Sequence, residues 1–80
     1  MALTREGLVD FMKKELGVKV SKITDASPLF SAGVIDSHML LQLITYIEGV
    51  ASIHVGAGDL SLENFDSIER MLAFVATRVK

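Results

Sequence analysis

Cysteine is absent from this chain of 80 residues, which excludes a disulfide framework, a thiolate metal site and a cysteine nucleophile. Long hydrophobic runs are missing as well. The longest, Met39 to Ile47, is interrupted by Gln42 and Thr45 and ends after nine residues, where a bilayer span needs roughly 20. At the N-terminus, Arg5, Glu6, Asp10, Lys13 and Lys14 break up any apolar stretch of the signal-peptide kind. These absences predict a cytoplasmic protein with no membrane contact.

Positive charge is missing from the middle. Between Ile23 and Glu69 there is neither Lys nor Arg, whereas Asp25, Asp36, Glu48, Asp59, Glu63, Asp66 and Glu69 all lie there. The basic residues fall only in Arg5 to Lys22 and Arg70 to Lys80, so a net charge of −2 hides strong segregation. A middle of one sign repels nucleic acid phosphates and favours encounters with basic partner surfaces. Nucleic acid is therefore not an expected partner.

What is present is enough for one small core. The length predicts a single domain over residues 1–80, and half of the chain is hydrophobic. Leu8, Phe11, Met12 and Leu16 recur at helical spacing behind Thr4, predicting a first helix over about Thr4 to Leu16 with Gly17 after its end. A connection from Val18 to Ile35 follows, shaped by Pro28 and Gly33 and pinned by Leu29 and Phe30. The second helix is predicted from Asp36 or Ser37 to about Val50, with Leu40, Leu43, Ile44, Ile47 and Ala51 as its buried stripe.

Beyond it, Ile53-His54-Val55 alternates like a strand, but Gly56-Ala57-Gly58 follows at once and nothing is left to pair with it. An extended loop with Ile53 and Val55 turned inward is expected. A short helical turn is predicted over Leu62 to Phe65, capped by Ser61, and Asp66-Ser67-Ile68-Glu69 fits a capping box for the last helix. Ile68, Met71, Leu72, Val75 and Val79 form that helix's stripe, with Arg78 and Lys80 at its cation-favouring end. The fold class is thus all-α: a small four-helix bundle of three main helices and one short one, with a long first loop.

Asp36-Ser37 stands where the turn-rich segment Ser27 to Ile35 runs into the apolar second helix. A hydroxyl there meets free backbone N–H groups and the positive end of the helix dipole, a setting that favours a phosphate. By itself Asp-Ser also suits a plain helix cap. The pattern Leu29-Phe30-x-x-Gly33-x-x-Asp36-Ser37, with the run Asp59 to Ile68, resembles the acyl carrier protein family of acyl, peptidyl and aminoacyl carriers. The resemblance implies a carrier-type bundle and a 4'-phosphopantetheine arm, moved from coenzyme A onto Ser37 by a separate phosphopantetheinyl transferase that uses a divalent metal. It also implies that Asp36 is the motif residue before the attachment point, and that the chain carries its cargo as a thioester without catalysing anything. In a chain without cysteine, the arm would hold the only thiol. An acyl- or amino-acid-activating ligase and downstream acyl-processing enzymes would be its other partners, and the carrier would act as a monomer.

Other chemistries fit poorly. Asp36, Ser37 and His38 diverge by about 100° each at a helix start, so no carboxylate–imidazole–hydroxyl relay assembles. His38 and His54 have no partner at metal-ligand spacing, so no metal site is expected. Gly56-Ala57-Gly58 lacks the third glycine and full strand of a dinucleotide loop. The partner-binding face is expected on the second helix, at His38, Met39, Leu41, Gln42, Thr45 and Glu48, with Tyr46 flanking the core. Glu48 is the only acidic residue between Ser37 and Val50, so this face is more apolar than that of a general fatty-acid carrier and points to a specialised fatty acid, polyketide or nonribosomal peptide-type pathway. A stand-alone aminoacyl or peptidyl carrier is the near alternative, and an unmodified helical interaction module the distant one. A fatty chain would find room in the apolar interior between the second and last helices.

Overall fold

Thr4 begins the first helix: its hydroxyl accepts the Gly7 N–H at 3.0 Å and α1 runs Arg5–Lys14. The computed structural model describes residues 3–78. Leu8 and Met12, one turn apart, are the buried side of α1, while Phe11 stacks on Tyr46 with ring centroids 4.5 Å apart. Gly7 leaves room for the Tyr46 hydroxyl beside that stack. A Cβ there would come within 2.7 Å of the Tyr46 hydroxyl oxygen, so glycine lets Tyr46 lie against α1 in this position and a larger residue would make the end of the Tyr46 side chain shift.

The remaining helices are α2 (Ser37–Ala51), α3 (Leu62–Phe65) and α4 (Ile68–Arg78), with 3₁₀ turns at Val20–Lys22 and Ala57–Asp59. Among the described residues there are four α-helices and no strand, so the expected all-α bundle with one short helix is what forms. Leu8 and Met12 of α1, Leu43, Ile44, Ile47 and Ala51 of α2, Phe65 of α3, and Ile68, Met71, Phe74 and Val75 of α4 share one core. In α1, α2 and α4 the buried side is the one on which apolar residues recur at three and four, while the short α3 buries Phe65 alone. The stripe of α4 includes Phe74, which packs on Phe65 at 5.1 Å, and Leu72 is only half-buried. Val79 and Lys80, assigned above to that helix, lie outside the described residues.

Leu29 is fully buried, and Val18, Ile35 and Val55 join it in the core from the connections. The long connection turns back at Gly33, whose φ of +76° lies in the left-handed region and whose N–H reaches the Phe30 carbonyl at 3.1 Å. The Val34 N–H then reaches the Leu29 carbonyl at 2.8 Å.

The capping box at Asp66 does not form. Ser67 caps α4 instead, its buried hydroxyl accepting the Arg70 N–H at 3.1 Å, and the Glu69 N–H donates to the Asp25 carbonyl at 2.9 Å. Released from capping, the Asp66 carboxylate accepts the Phe30 and Ser31 N–H groups at 2.8 and 2.9 Å and the Ser31 hydroxyl at 2.7 Å. Its carbonyl takes the Leu29 N–H at 2.6 Å. The long connection is thus bolted to the α3–α4 junction, where its backbone donors find the acceptors that helices would otherwise supply. An ion pair from Arg5 to Asp25 fastens its earlier part to α1.

Candidate attachment site

Of the two residues that can cap α2, Asp36 is the one that does. It is extended, with φ −104° and ψ −178°, and its carboxylate accepts the Met39 N–H at 2.9 Å, while its carbonyl takes the Leu40 N–H. Ser37 is thereby the first residue of α2, exposed, with its hydroxyl relieved of the capping role. The fifteen-residue helix behind it aims its dipole at this point. The turn at Gly33 and the buried Ile35 fix the approach from the other side.

Beside Ser37 opens an apolar cleft of about 290 Å³. Phe30, Leu40, Ile44 and Phe65 line it, and Leu41, Leu60 and Leu62, exposed by 57, 44 and 49 %, form its rim. Apart from Ser37 itself, Ser61 is the one polar residue in the lining. The cleft lies between α2 and the 60–65 segment, rather than between the second and last helices, because the facing surfaces of α2 and α4 are used up by core packing. A group joined to the Ser37 oxygen has an apolar shelter next to it. The sequence matches the family described as phosphopantetheine attachment site over residues 6–75. The chain belongs to this family.

In this carrier family the domain is the site of covalent 4'-phosphopantetheine attachment. The residues present fit such a group: an exposed hydroxyl, a phosphate-favouring helix start and an apolar cleft within reach of the arm's far end. When bound, the arm supplies a terminal thiol able to hold a thioester. Comparison with curated proteins finds no match.

The residues expected on the partner face divide among three sides of α2. His38, Leu41, Gln42 and Thr45 are exposed together, with a His38 ring nitrogen 2.9 Å from the Gln42 amide nitrogen and the Thr45 hydroxyl donating to the Leu41 carbonyl. Met39 turns the other way, lining a groove shared with Lys19, Lys22, Ile23 and Val34 of the long connection. Glu48 faces the loop after α2, where its carboxylate accepts the Val55 N–H at 2.8 Å and lies 3.5 Å from a His54 ring nitrogen. His38 lies in the first turn of α2 and His54 just beyond its C-terminus beside Glu48, at opposite ends of a fifteen-residue helix, so the two histidines are not brought together.

Leu60, Leu62 and Phe30 are site residues that periodicity did not reveal. A signal existed: Leu60 and Leu62 flank a cap, Ser61, in front of a four-residue helix, too short to bury both. Two carboxylates near the site are held well ionised. Asp66 is lowered from its ordinary value chiefly by the Ser31 hydrogen bonds, and Asp59 chiefly by its hydrogen bond from Arg78 and then by the Gly56 N–H.

Proposed function

We propose that this chain acts as a carrier domain that holds an acyl group as a thioester on a 4'-phosphopantetheine arm esterified to Ser37. The observation that carries this reading is the exposed Ser37 hydroxyl, free of capping, at the edge of an apolar cleft. In loading, the Ser37 oxygen bonds to the phosphorus of coenzyme A that bears the pantetheine. The bond to adenosine 3',5'-bisphosphate breaks, and the hydroxyl proton leaves to a base on the transferase. Ser37 is the acceptor and the chain itself is not a catalyst. Asp36 contributes by fixing the helix start.

The apolar lining of the cleft supports an aliphatic acyl cargo over an aminoacyl one, since an ammonium group buried there would lose its hydration without a partner. A specialised fatty acid or polyketide-type pathway agrees with this better than a nonribosomal peptide-type one. Besides the transferase, the partners we propose are an acyl-activating ligase and acyl-processing enzymes. They would read the face of His38, Leu41, Gln42 and Thr45, while Met39 and Glu48 act mainly within the fold. Coenzyme A as donor supports a cytoplasmic workplace, and we take the working form to be a monomer.

The test is incubation of the purified chain with coenzyme A and a broad-specificity transferase, read by intact mass. A gain of one phosphopantetheine in the wild type and none in Ser37→Ala is expected. A gain that persists in Ser37→Ala would sink the assignment.

A further inference from the structure

We infer that the groove between Met39 and the first half of the long connection docks an acidic segment of a partner protein, whose apolar side chains enter the groove while its carboxylates meet Lys19 and Lys22. The groove has a volume of about 490 Å³. Val18, Ile23, Pro28, Val34 and Met39 make it apolar, and Val34 is 37 % exposed there. Its charged lining residues are Lys19 and Lys22, both exposed, at the two ends of the 3₁₀ turn. Among the described residues neither lysine takes part in an ion pair, although Arg5, Lys14 and Arg78 all do. No carboxylate lines the groove. Of the nearby acids, Asp25 is paired with Arg5 and the Asp36 carboxylate is occupied by the Met39 N–H.

One kind of occupant suits this surface. The groove is open, whereas a small-ligand site encloses most of its ligand. Two lysines on a chain of net charge −2 are too few to hold an anionic membrane, which takes a cluster of roughly four to eight basic residues. A nucleic acid would meet the same net repulsion and find no Lys or Arg between Ile23 and Glu69. A polypeptide can offer apolar side chains for the floor and carboxylates for the two ammonium groups, whose stems lie along the apolar wall. The sign is the reverse of the one that the acidic middle favours in a partner. Met39 stands about 200° round α2 from Ser37, at about 100° per residue. A partner seated in the groove therefore leaves Ser37 and its cleft uncovered. The contact is additional to the face of His38, Leu41, Gln42 and Thr45, and it holds the chain while the attachment point stays free for the transferase.

The experiment titrates the isotopically labelled full chain with a short peptide of leucines flanked by glutamates, and with counterparts carrying glutamine or lysine in place of glutamate, and follows amide and methyl NMR signals. The glutamate peptide should shift the signals of Lys19, Lys22, Ile23, Val34 and Met39 and leave those of Leu60 and Leu62, on the rim of the cleft, in place. Lys19→Gln with Lys22→Gln should weaken binding about fivefold or more, the effect of losing two exposed ion pairs. Lys19→Glu with Lys22→Glu should abolish it. Both lysines are exposed, so the helical circular dichroism should be unchanged in either pair of substitutions. Added salt should weaken the wild-type complex and leave that of the glutamine variant nearly unchanged. Val34→Ser should weaken binding and keep its salt dependence, which separates the apolar contribution from the charged one. No groove shifts with the glutamate peptide, shifts as large with the glutamine or lysine counterpart, or undiminished binding by the glutamine variant would overturn the inference. So would the same signals moving with protein concentration alone, which would seat a second copy in the groove, or moving more with vesicles of anionic phospholipid than with the peptide. Arm loading at Ser37 is measured separately by mass, so the carrier function stands whichever way the titration falls.

Discussion

Asp36 and Ser37 are neighbours with separate jobs, and substitution should separate them. Asp36→Ala removes the side-chain acceptor of the Met39 N–H and should cost about 1 kcal/mol in urea unfolding, whereas Ser37→Ala should change stability by no more than a few tenths. A larger loss for Ser37→Ala would make the serine a structural residue first. Asp66 is the other residue whose removal should be felt, and through pH. Its carboxyl is held below the ordinary value by the Ser31 and Phe30 donors, so the folded form binds its proton less readily than the unfolded chain. The stability it contributes is fully present above the unfolded-state value near 3.8 and is lost as pH falls through the lower folded value. Urea midpoints measured from neutral pH down to about 3 should therefore drop less steeply for Asp66→Asn than for the wild type. That Ser37 stands at the head of an apolar helix was legible from the spacing of the residues after it. Asp66 was misread because Asp-x-x-Glu fits a capping box, and only the position of the connection shows that Ser67 caps while Asp66 bolts.

At the scale of elements, α2 does three things at once with three of its sides. One side closes the core, one frames the cleft with Ser37 at its head, and one presents His38, Gln42 and Thr45. Its far end is built differently from the usual glycine stop. Ser52 adopts the left-handed conformation, φ 56°, so that its own N–H and that of Ile53 reach the Glu48 carbonyl. An L-residue in that conformation costs roughly 1–2 kcal/mol, part of which glycine gives back as greater freedom in the unfolded chain. Ser52→Gly should consequently raise the unfolding free energy by up to about 1 kcal/mol, readable as a higher urea midpoint. A lower midpoint would mean that the serine side chain has a role beyond its backbone. The helices were legible because apolar residues at spacings of three and four have one way to be buried. The connection was not: its 3₁₀ turn at Val20–Lys22 and the burial of Val18 and Ile35 depend on what the helices leave open.

For the molecule as a whole, folding reassigns the charges. The acidic middle suggested a surface for basic partners, yet five of its seven carboxylates have internal work. Asp25 pairs with Arg5 and Asp59 with Arg78, joining the basic ends to the middle, while Asp36, Glu48 and Asp66 accept backbone N–H groups. Glu63 and Glu69 are exposed. Two of the seven charges are thus offset by arginines, which weakens steering by the middle segment, and the rate of arm transfer to Ser37 should change by less than about threefold between low and moderate salt. Intact-mass time courses at several salt concentrations check this. A steep decline with salt would return the recognition to ion pairs.

The sequence by itself determined the helices, most of the core stripes and the serine that starts α2, because each follows from local periodicity and from a hydroxyl next to a helix N-terminus. Leu40 and Leu72 are only half-buried, and Phe74 takes a core place that the expected stripe did not include. Tertiary structure alone decided which residue caps, which carboxylate bolts the connection, and where the apolar cleft opens. Those outcomes depend on contacts between Phe30, Ser31 and Asp66, or between Leu41 and Leu62, that lie far apart in the chain. Nothing in the local spacing of a sequence records which distant donor will arrive at a given acceptor.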